Sequence, residues 1–410
     1  MTREYGDTDY WLMAAVIILA GLGAVMSYSL SSVASAVVKG TGGDRLFFFK
    51  RELLRLALAG VAFAAALRIN YRRLRKLILP GLALSMVLLG AALSLGATRG
   101  ARSWILGLQP TEPARFMLVL FLAHYMDRQR ENMQSLLHGY LMALAPIALV
   151  AGAIVLQPDF GSALAIGAIG YLMLFAGGAN IVHWGIGLAA AASGFAVVAI
   201  AKIHVIGRLQ GFWIALTRPE MLEALAPSAP GHLRNTLIHT FQALLGIGSG
   251  GLFGVGLGQS RQKLLFISEP HTDFVFSIIA EEGGFLITGL ILLLYLVILW
   301  RGMTIAGQLS DRFERFSVLG LTLSLFIYAL INISVNVGLF PITGLPLPFL
   351  SYGGSALVVN AASAGLILNM SRHRGERSIQ SFSRKRHESN HSRWRDGRTS
   401  LSRAGGGRGH

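Results

Sequence analysis

The sequence predicts an all-α polytopic membrane protein with ten transmembrane helices and a large extracytoplasmic loop between helices 7 and 8. Three observations carry this. Charged residues occupy only 14% of the 410 positions, against roughly 25% in a soluble protein, while apolar residues reach 53% and the mean hydropathy is +0.57. Apolar stretches of about 20 residues or more, enough to cross the hydrocarbon as a helix, recur along the chain. Lys and Arg cluster between those stretches in the alternating manner of the positive-inside rule.

Predominantly apolar stretches cover residues 11–44, 77–98, 132–158, 160–201, 283–300 and 316–371. The stretch from Phe160 to Ala201 fits two spans with a break near Gly177-Gly178, and Phe316 to Ser371 fits two more around Pro341 to Pro348. Segments 53–67, with Arg55, and 113–126, with Arg115, are weaker, so periodicity leaves the count between eight and ten. Ten spans place four basic groups on one face: Arg68 to Lys76, Arg128 and Arg130, Arg301 to Arg315, and the C-terminal tail. Both termini are then cytoplasmic, and residues 202–272 are extracytoplasmic. Arg45, Lys50 and Arg51 dissent, and are read as interface residues. The run after Met1 to Asp9 is long enough to span, so no cleaved signal peptide is expected.

The division is therefore a short cytoplasmic N-terminus (1–10), a membrane domain (11–371) and a basic tail (372–410). Half of the net charge of +16 lies in residues 371–410. That tail has too few apolar residues to fold alone, and should lie disordered against anionic membrane lipids. The rest of the chain is too thinly basic for nucleic acid, which is excluded as a partner. With no cysteine, disulfides and Cys-ligated zinc are excluded as well.

Polar groups at membrane depth are expensive and so mark candidate sites. Glu112 and Arg115, following Gly100 to Trp104 and Gln109-Pro110-Thr111, are three apart on one helix face. They form either a local ion pair or a polar site lining a cavity, with Thr111 as a candidate N-cap. Asp159, in Gln157-Pro158-Asp159-Phe160-Gly161, either caps the next helix or serves a site. Glycines 246 to 258 precede Gln262 and Lys263 without a phosphate-loop ending, which suggests bent or re-entrant backbone over a cavity. His271 and Asp273 stand at the outer mouth of a span, with Glu281 and Glu282 eight and nine residues past Asp273. A carboxylate at a dielectric boundary suits a general base, whereas the structural alternative is an N-cap for a helix starting at Phe274. A metal set of Glu269, His271 and Asp273 lacks diagnostic spacing. Pro341 to Ser355 holds three prolines and three glycines, which backbone at membrane depth tolerates only against protein or water.

These five segments, in this order, resemble the SEDS family (shape, elongation, division and sporulation), the membrane proteins related to FtsW and RodA. Gly100-Ala101-Arg102-Ser103-Trp104, Gln157 to Gly161, the glycine-rich run to Gln262-Lys263, His271-Thr272-Asp273-Phe274 and Pro346 to Ser355 carry the likeness. It covers about residues 10 to 372, and Leu366 to Arg372 is similar to the FtsW branch. Arg115 stands where the family usually has Lys.

The resemblance implies a ten-helix peptidoglycan glycosyltransferase in the bacterial cytoplasmic membrane, acting at the division septum. It would polymerise lipid II on the outer face together with a class B penicillin-binding protein and other divisome proteins. Asp273 falls on the family's essential aspartate. Such chemistry needs one carboxylate base and cations for a departing lipid diphosphate, for which Arg102, Arg208 and Lys263 are candidates. Glu112, Arg115, Asp159, Gln262, His271 and Ser355 complete the candidate substrate-binding set. No cofactor is demanded by the sequence, although a divalent cation, Mg or Mn, could share the diphosphate. A lipid II flippase, a RodA-like enzyme of elongation and a non-enzymatic divisome scaffold are the competing readings.

Overall fold

A computed structural model of the chain describes residues 8–37, 47–95, 108–201, 203–262 and 273–373. Arg102, Lys263, His271 and the tail beyond residue 373 lie outside these residues. Among the described residues the regular secondary structure is helical, with no strand. The helices are α1 (Tyr10–Val37), α2 (Phe47–Arg68), α3 (Tyr71–Leu95), α4 (Thr111–Arg128), α5 (Met142–Val155, entered through a π-helical turn Leu136–Leu141), α6 (Phe160–Ala176) and α7 (Ile181–Ala201). They continue with α8 (Ile203–Thr217), α9 (Met221–Leu225), α10 (Gly231–Ser249), α11 (Val275–Gln308), α12 (Arg312–Asn336) and α13 (Gly354–Ser371).

Among the described residues six segments are long and apolar enough to cross a membrane: Tyr10–Ser31, Arg73–Ser94, Leu136–Val155, Val275–Gln308, Arg312–Asn336 and Gly354–Ser371. Phe160–Ala176 and Ile181–Gly194 are shorter apolar helices. The chain is thus an integral, polytopic membrane protein. The break expected after Ala176 occurs at Gly178, whose φ of +89° is left-handed. Residues 202–272, read from sequence as a loop, contain α8, α9 and α10, with α8 and α10 packed on each other.

Helix α12 is the central strut and touches α4, α6, α10, α11 and α13, burying Phe313, Leu321, Leu325, Tyr328 and Val335. Helix α13 lies along α2. Its Gly365 faces the Phe63 carbonyl, and the Asn369 side chain donates to the carbonyls of Ala66 and Ile69, 2.8 Å each, near the end of α2. Those carbonyls would otherwise lack partners in the last helical turn.

One end of the bundle is laced by ion pairs among helix caps. Asp9 accepts from the Leu12 amide at 3.1 Å and pairs with Arg301 at 2.6 Å. Asp311 caps α12 through the Glu314 amide and pairs with Arg75 at 2.8 Å, while Arg75 reaches Asp127 at 3.3 Å. His373 lies 2.9 Å from Glu314. Helix ends carrying the basic clusters after α2, α4 and α11 therefore share one face of the molecule, and the candidate site residues lie at the other.

Candidate functional site

Helix α11 begins at Val275 with Phe274 at its N-cap and no side-chain cap. Asp273 is therefore not the capping residue that the structural alternative required. The capping work comes from another helix: Asn336 Oδ1 on α12 accepts from the Ser277 amide at 3.1 Å and the Ser277 hydroxyl at 2.6 Å. This satisfies one of the orphan donors in the first turn of α11. The Asp273 backbone carbonyl accepts from Asn332 Nδ2 and Asn336 Nδ2, both at 3.0 Å. Asn332 Nδ2 also donates to the Leu345 carbonyl at 2.7 Å.

The Asp273 side chain is partly exposed and faces the broken segment between α12 and α13. Gly344 there has a φ of +78°, and its missing Cβ would stand 3.6 Å from Asp273 Oδ2. On α10 the His239 ring lies 6.0 Å from that of Phe274, and burial lowers its pKa, so it stays neutral at pH 7.

Immediately beside this lies a buried cluster. Arg115 Nη2 donates to Glu112 Oε2 and to Asn360 Oδ1, each at 2.7 Å, and its guanidinium stacks 3.9 Å from the centroid of the Tyr328 ring. Glu112 and Arg115 are 0% and 1% exposed. The local ion pair expected from their spacing is present. Thr111 does not cap α4, since Pro110 holds that position without a side-chain bond and the Thr111 hydroxyl has no partner. Proline in the right-handed helical region already sets the entry angle of the helix. Asp159 does cap α6, accepting from the Ser162 amide at 3.1 Å, with Gln109 and Arg208 in electrostatic reach.

Two contacts tie this cluster to Asp273. A Cβ on Gly161 would stand 2.4 Å from the Thr343 carbonyl, so the start of α6 lies directly against the residue preceding Gly344. The Gln109 amide donates to the Ser355 hydroxyl at 3.0 Å, joining the entry of α4 to the start of α13. Asp159, Ser355 and Asp273 thus flank one broken segment. Near its end, the Arg55 guanidinium stacks 3.9 Å from the Tyr352 ring and pairs with Glu52 at 3.4 Å.

The glycine-rich segment is held rather than open. The amides of Val255 and Gly256 donate to the carbonyls of Glu281 and Glu282, and those of Phe285 and Leu286 to the carbonyls of Gly251 and Leu252. Helix α11 is interrupted there by Gly284, φ +66°. The Glu281 carboxylate accepts from the Ser260 hydroxyl, the Arg261 amide at 2.9 Å and the Gln262 amide at 3.3 Å. Glu282 accepts from the Ser29 hydroxyl of α1 at 2.9 and 2.7 Å. Gln262 is buried with its Oε1 unpartnered, and its Cγ would lie 3.3 Å from a Cβ on Gly246. Gln262 thus lies beside Gly246 of α10, where the Ser277 carbonyl of α11 also approaches, 3.4 Å from the same Cβ position.

Sequence reasoning missed Asn332, Asn336, Asn360, Tyr328 and the anchoring role of Glu281 and Glu282. A signal existed for the first two, an i, i+4 amide pair on an apolar helix, which puts both on one face. Among the described residues no three His, Asp or Glu side chains converge as a metal site would require.

A model of the FtsW/RodA/SpoVE family, described as a cell cycle protein, matches residues 10–376. A relative from Trichlorobacter lovleyi named "Probable peptidoglycan glycosyltransferase FtsW" is 34% identical, over 89% of this chain and 93% of its own. Stage V sporulation protein E of Bacillus subtilis is 33% identical, over 91% of this chain and 99% of its own. Among solved structures, a chain from a peptidoglycan synthase complex that coordinates polymerization and crosslinking superposes with a TM-score of 0.64 at 26% identity, covering 90% of this chain and 99% of that one. Rod shape determining protein RodA of Thermus thermophilus gives 0.60 at 27% identity, covering 90% and 98%.

Proposed function

The chain belongs to the FtsW/RodA/SpoVE family of cell cycle proteins, and from that premise we infer that it is a peptidoglycan glycosyltransferase of the FtsW type. Its substrate is lipid II and its partner a class B penicillin-binding protein, as the synthase complex among its structural relatives suggests. Helices α1 to α7 and α11 to α13 are the ten spans. Helices α8 to α10 and the glycine-rich segment form the extracytoplasmic loop between the seventh and eighth. The end laced by Arg75, Arg301 and their carboxylates faces the cytoplasm, because it carries the basic clusters. The Asp273 end then faces outward, at the septum, where lipid-linked precursor is consumed.

Asp273 is the general base. It takes the proton of the acceptor sugar's 4-hydroxyl as that oxygen bonds to the donor's anomeric carbon. The bond from that carbon to the lipid diphosphate breaks with inversion, and the diphosphate leaves with the electron pair. Arg208, Arg102 and Lys263 are the cations for the leaving group. A divalent ion can share that load, with no step requiring it. Arg115 and Glu112 shape the floor of the site. Closed on each other, with Arg115 1% exposed, they offer no open polar path of the kind a flippase needs.

The observation that carries this reading is the partly exposed Asp273, one residue before the N-cap of α11, with its carboxylate set against Gly344 of the broken segment. The test is lipid II polymerisation by the purified protein with its transpeptidase partner. Asp273→Asn preserves size and most hydrogen bonding but cannot accept the proton. The variant should insert and bind the partner normally while polymerising about 10²- to 10⁴-fold more slowly. Near-normal glycan synthesis would refute the assignment.

A further inference from the structure

Helix α12 contributes two asparagines that no charge or motif argument requires. Asn332 and Asn336 are 2% and 0% exposed in the uncharged, largely apolar part of α12 after Arg315, where an amide is costly unless its groups are used. Every hydrogen bond of their side chains goes to one of three places: the Asp273 carbonyl, the first turn of α11 at Ser277, and the Leu345 carbonyl of the broken segment, apart from those linking the two asparagines to each other. One nitrogen, Asn332 Nδ2, joins the Asp273 carbonyl at 3.0 Å to the Leu345 carbonyl at 2.7 Å. The residue before Leu345 is Gly344, the one facing the Asp273 carboxylate. The same amide therefore fixes the backbone on both sides of the gap in which that carboxylate stands.

We propose that Asn332 and Asn336 are positioning residues, a clamp that sets the distance between Asp273 and the Gly344 turn and so the point from which Asp273 reaches the acceptor hydroxyl. The proposal rests on Asp273 being the base. Its physical content is that the start of α11, at Asp273 and Ser277, and the broken segment, at Leu345, are both held by directional bonds from one helix. A displacement of about 1 Å at a reacting group can cost about 10²-fold in rate. Both asparagine side chains are spent on protein groups, so their loss should fall on kcat rather than on KM.

The test compares Asn332→Leu and Asn336→Leu, which keep the branching and heavy-atom count and remove every side-chain bond, in the purified complex with the transpeptidase partner. Each is made alone and on the Asp273→Asn background. Single variants that elute monodisperse and retain the partner should lose about 10- to 100-fold in kcat for lipid II polymerisation, with KM within about threefold. On the Asp273→Asn background, the residual rate over long incubation should fall no further, because residues acting through one group are not additive. A folded single variant with unchanged kcat overturns the clamp. So does an undiminished further loss on the Asp273→Asn background, which marks a general structural defect. Failure of both asparagine variants to fold also overturns it, making them fold determinants instead. Full activity of Asp273→Asn alone sinks the base reading itself, whereas an inactive Asp273→Asn beside a fully active Asn332→Leu sinks only the clamp.

Discussion

Replacing Arg115 by Met removes three interactions at once: the 2.7 Å bond to Glu112, the 2.7 Å bond to Asn360 and the stacking on Tyr328 at 3.9 Å. What remains is a Glu112 side chain at 0% exposure, with Oε1 already unpartnered and now no cation beside it. Breaking a buried pair in this way costs about 3–5 kcal/mol, or about two to three and a half powers of ten in the folding equilibrium. Glu112→Leu should cost a similar amount by stranding the guanidinium. The double variant strands neither charge. Beyond the pair itself it loses the Asn360 bond, worth about 1.5–3 kcal/mol, and the stacking on Tyr328, and it recovers the desolvation of both ions. The expected coupling between the sites is therefore at least about 3 kcal/mol. Unfolding of the detergent-purified protein in a denaturing surfactant, followed by helicity, measures all four corners of the cycle. A double variant as unstable as the sum of the two singles would refute the argument. A stable double variant unable to make glycan would refute it in another way, by moving the pair into the reaction itself.

Gly161→Val should reduce lipid II polymerisation at least ~10-fold by driving Thr343 and Gly344 away from Asp273, since its Cβ would stand 2.4 Å from a main-chain oxygen. Gly167→Val on the same helix meets nothing within 4 Å and should polymerise normally, so equal damage from both would count against the contact. A reporter fused after Ser371 should read as cytoplasmic, because the helix ends bearing the basic clusters share that face. An extracytoplasmic signal would invert the bundle and put Asp273 on the wrong side for an external polymerase.

What was legible in the sequence followed local rules. The turn at Gly177-Gly178 and the break from Pro341 to Pro348 interrupt apolar runs, where glycine and proline have few other uses. Asp159 before Phe160 reads as a cap, and Glu112 three residues before Arg115 reads as a pair. Helices α8 to α10 were hidden because their polar punctuation resembles that of a loop, and they are stabilised by packing on one another and on α11. The start of α11 lies nine residues before the Gly284 break, one residue past the Phe274 start that the sequence offered as an alternative, while the uncharged run itself begins only after Glu281 and Glu282. Two adjacent carboxylates argue against an apolar helix until their partners are known, and one of those partners, Ser29, is 253 residues away. The asparagines of α12 mark the limit most clearly. A charge selects an opposite charge, which the sequence displays, but Asn332 and Asn336 select mainly main-chain carbonyls, which every residue carries. Such a bond leaves a signature on one side only. The target becomes visible once the fold has brought the Asp273 and Leu345 carbonyls within 3.0 Å of the same nitrogen. In a membrane protein poor in charge, the bonds that hold the Asp273 main chain therefore come from the groups that sequence patterning reads least well.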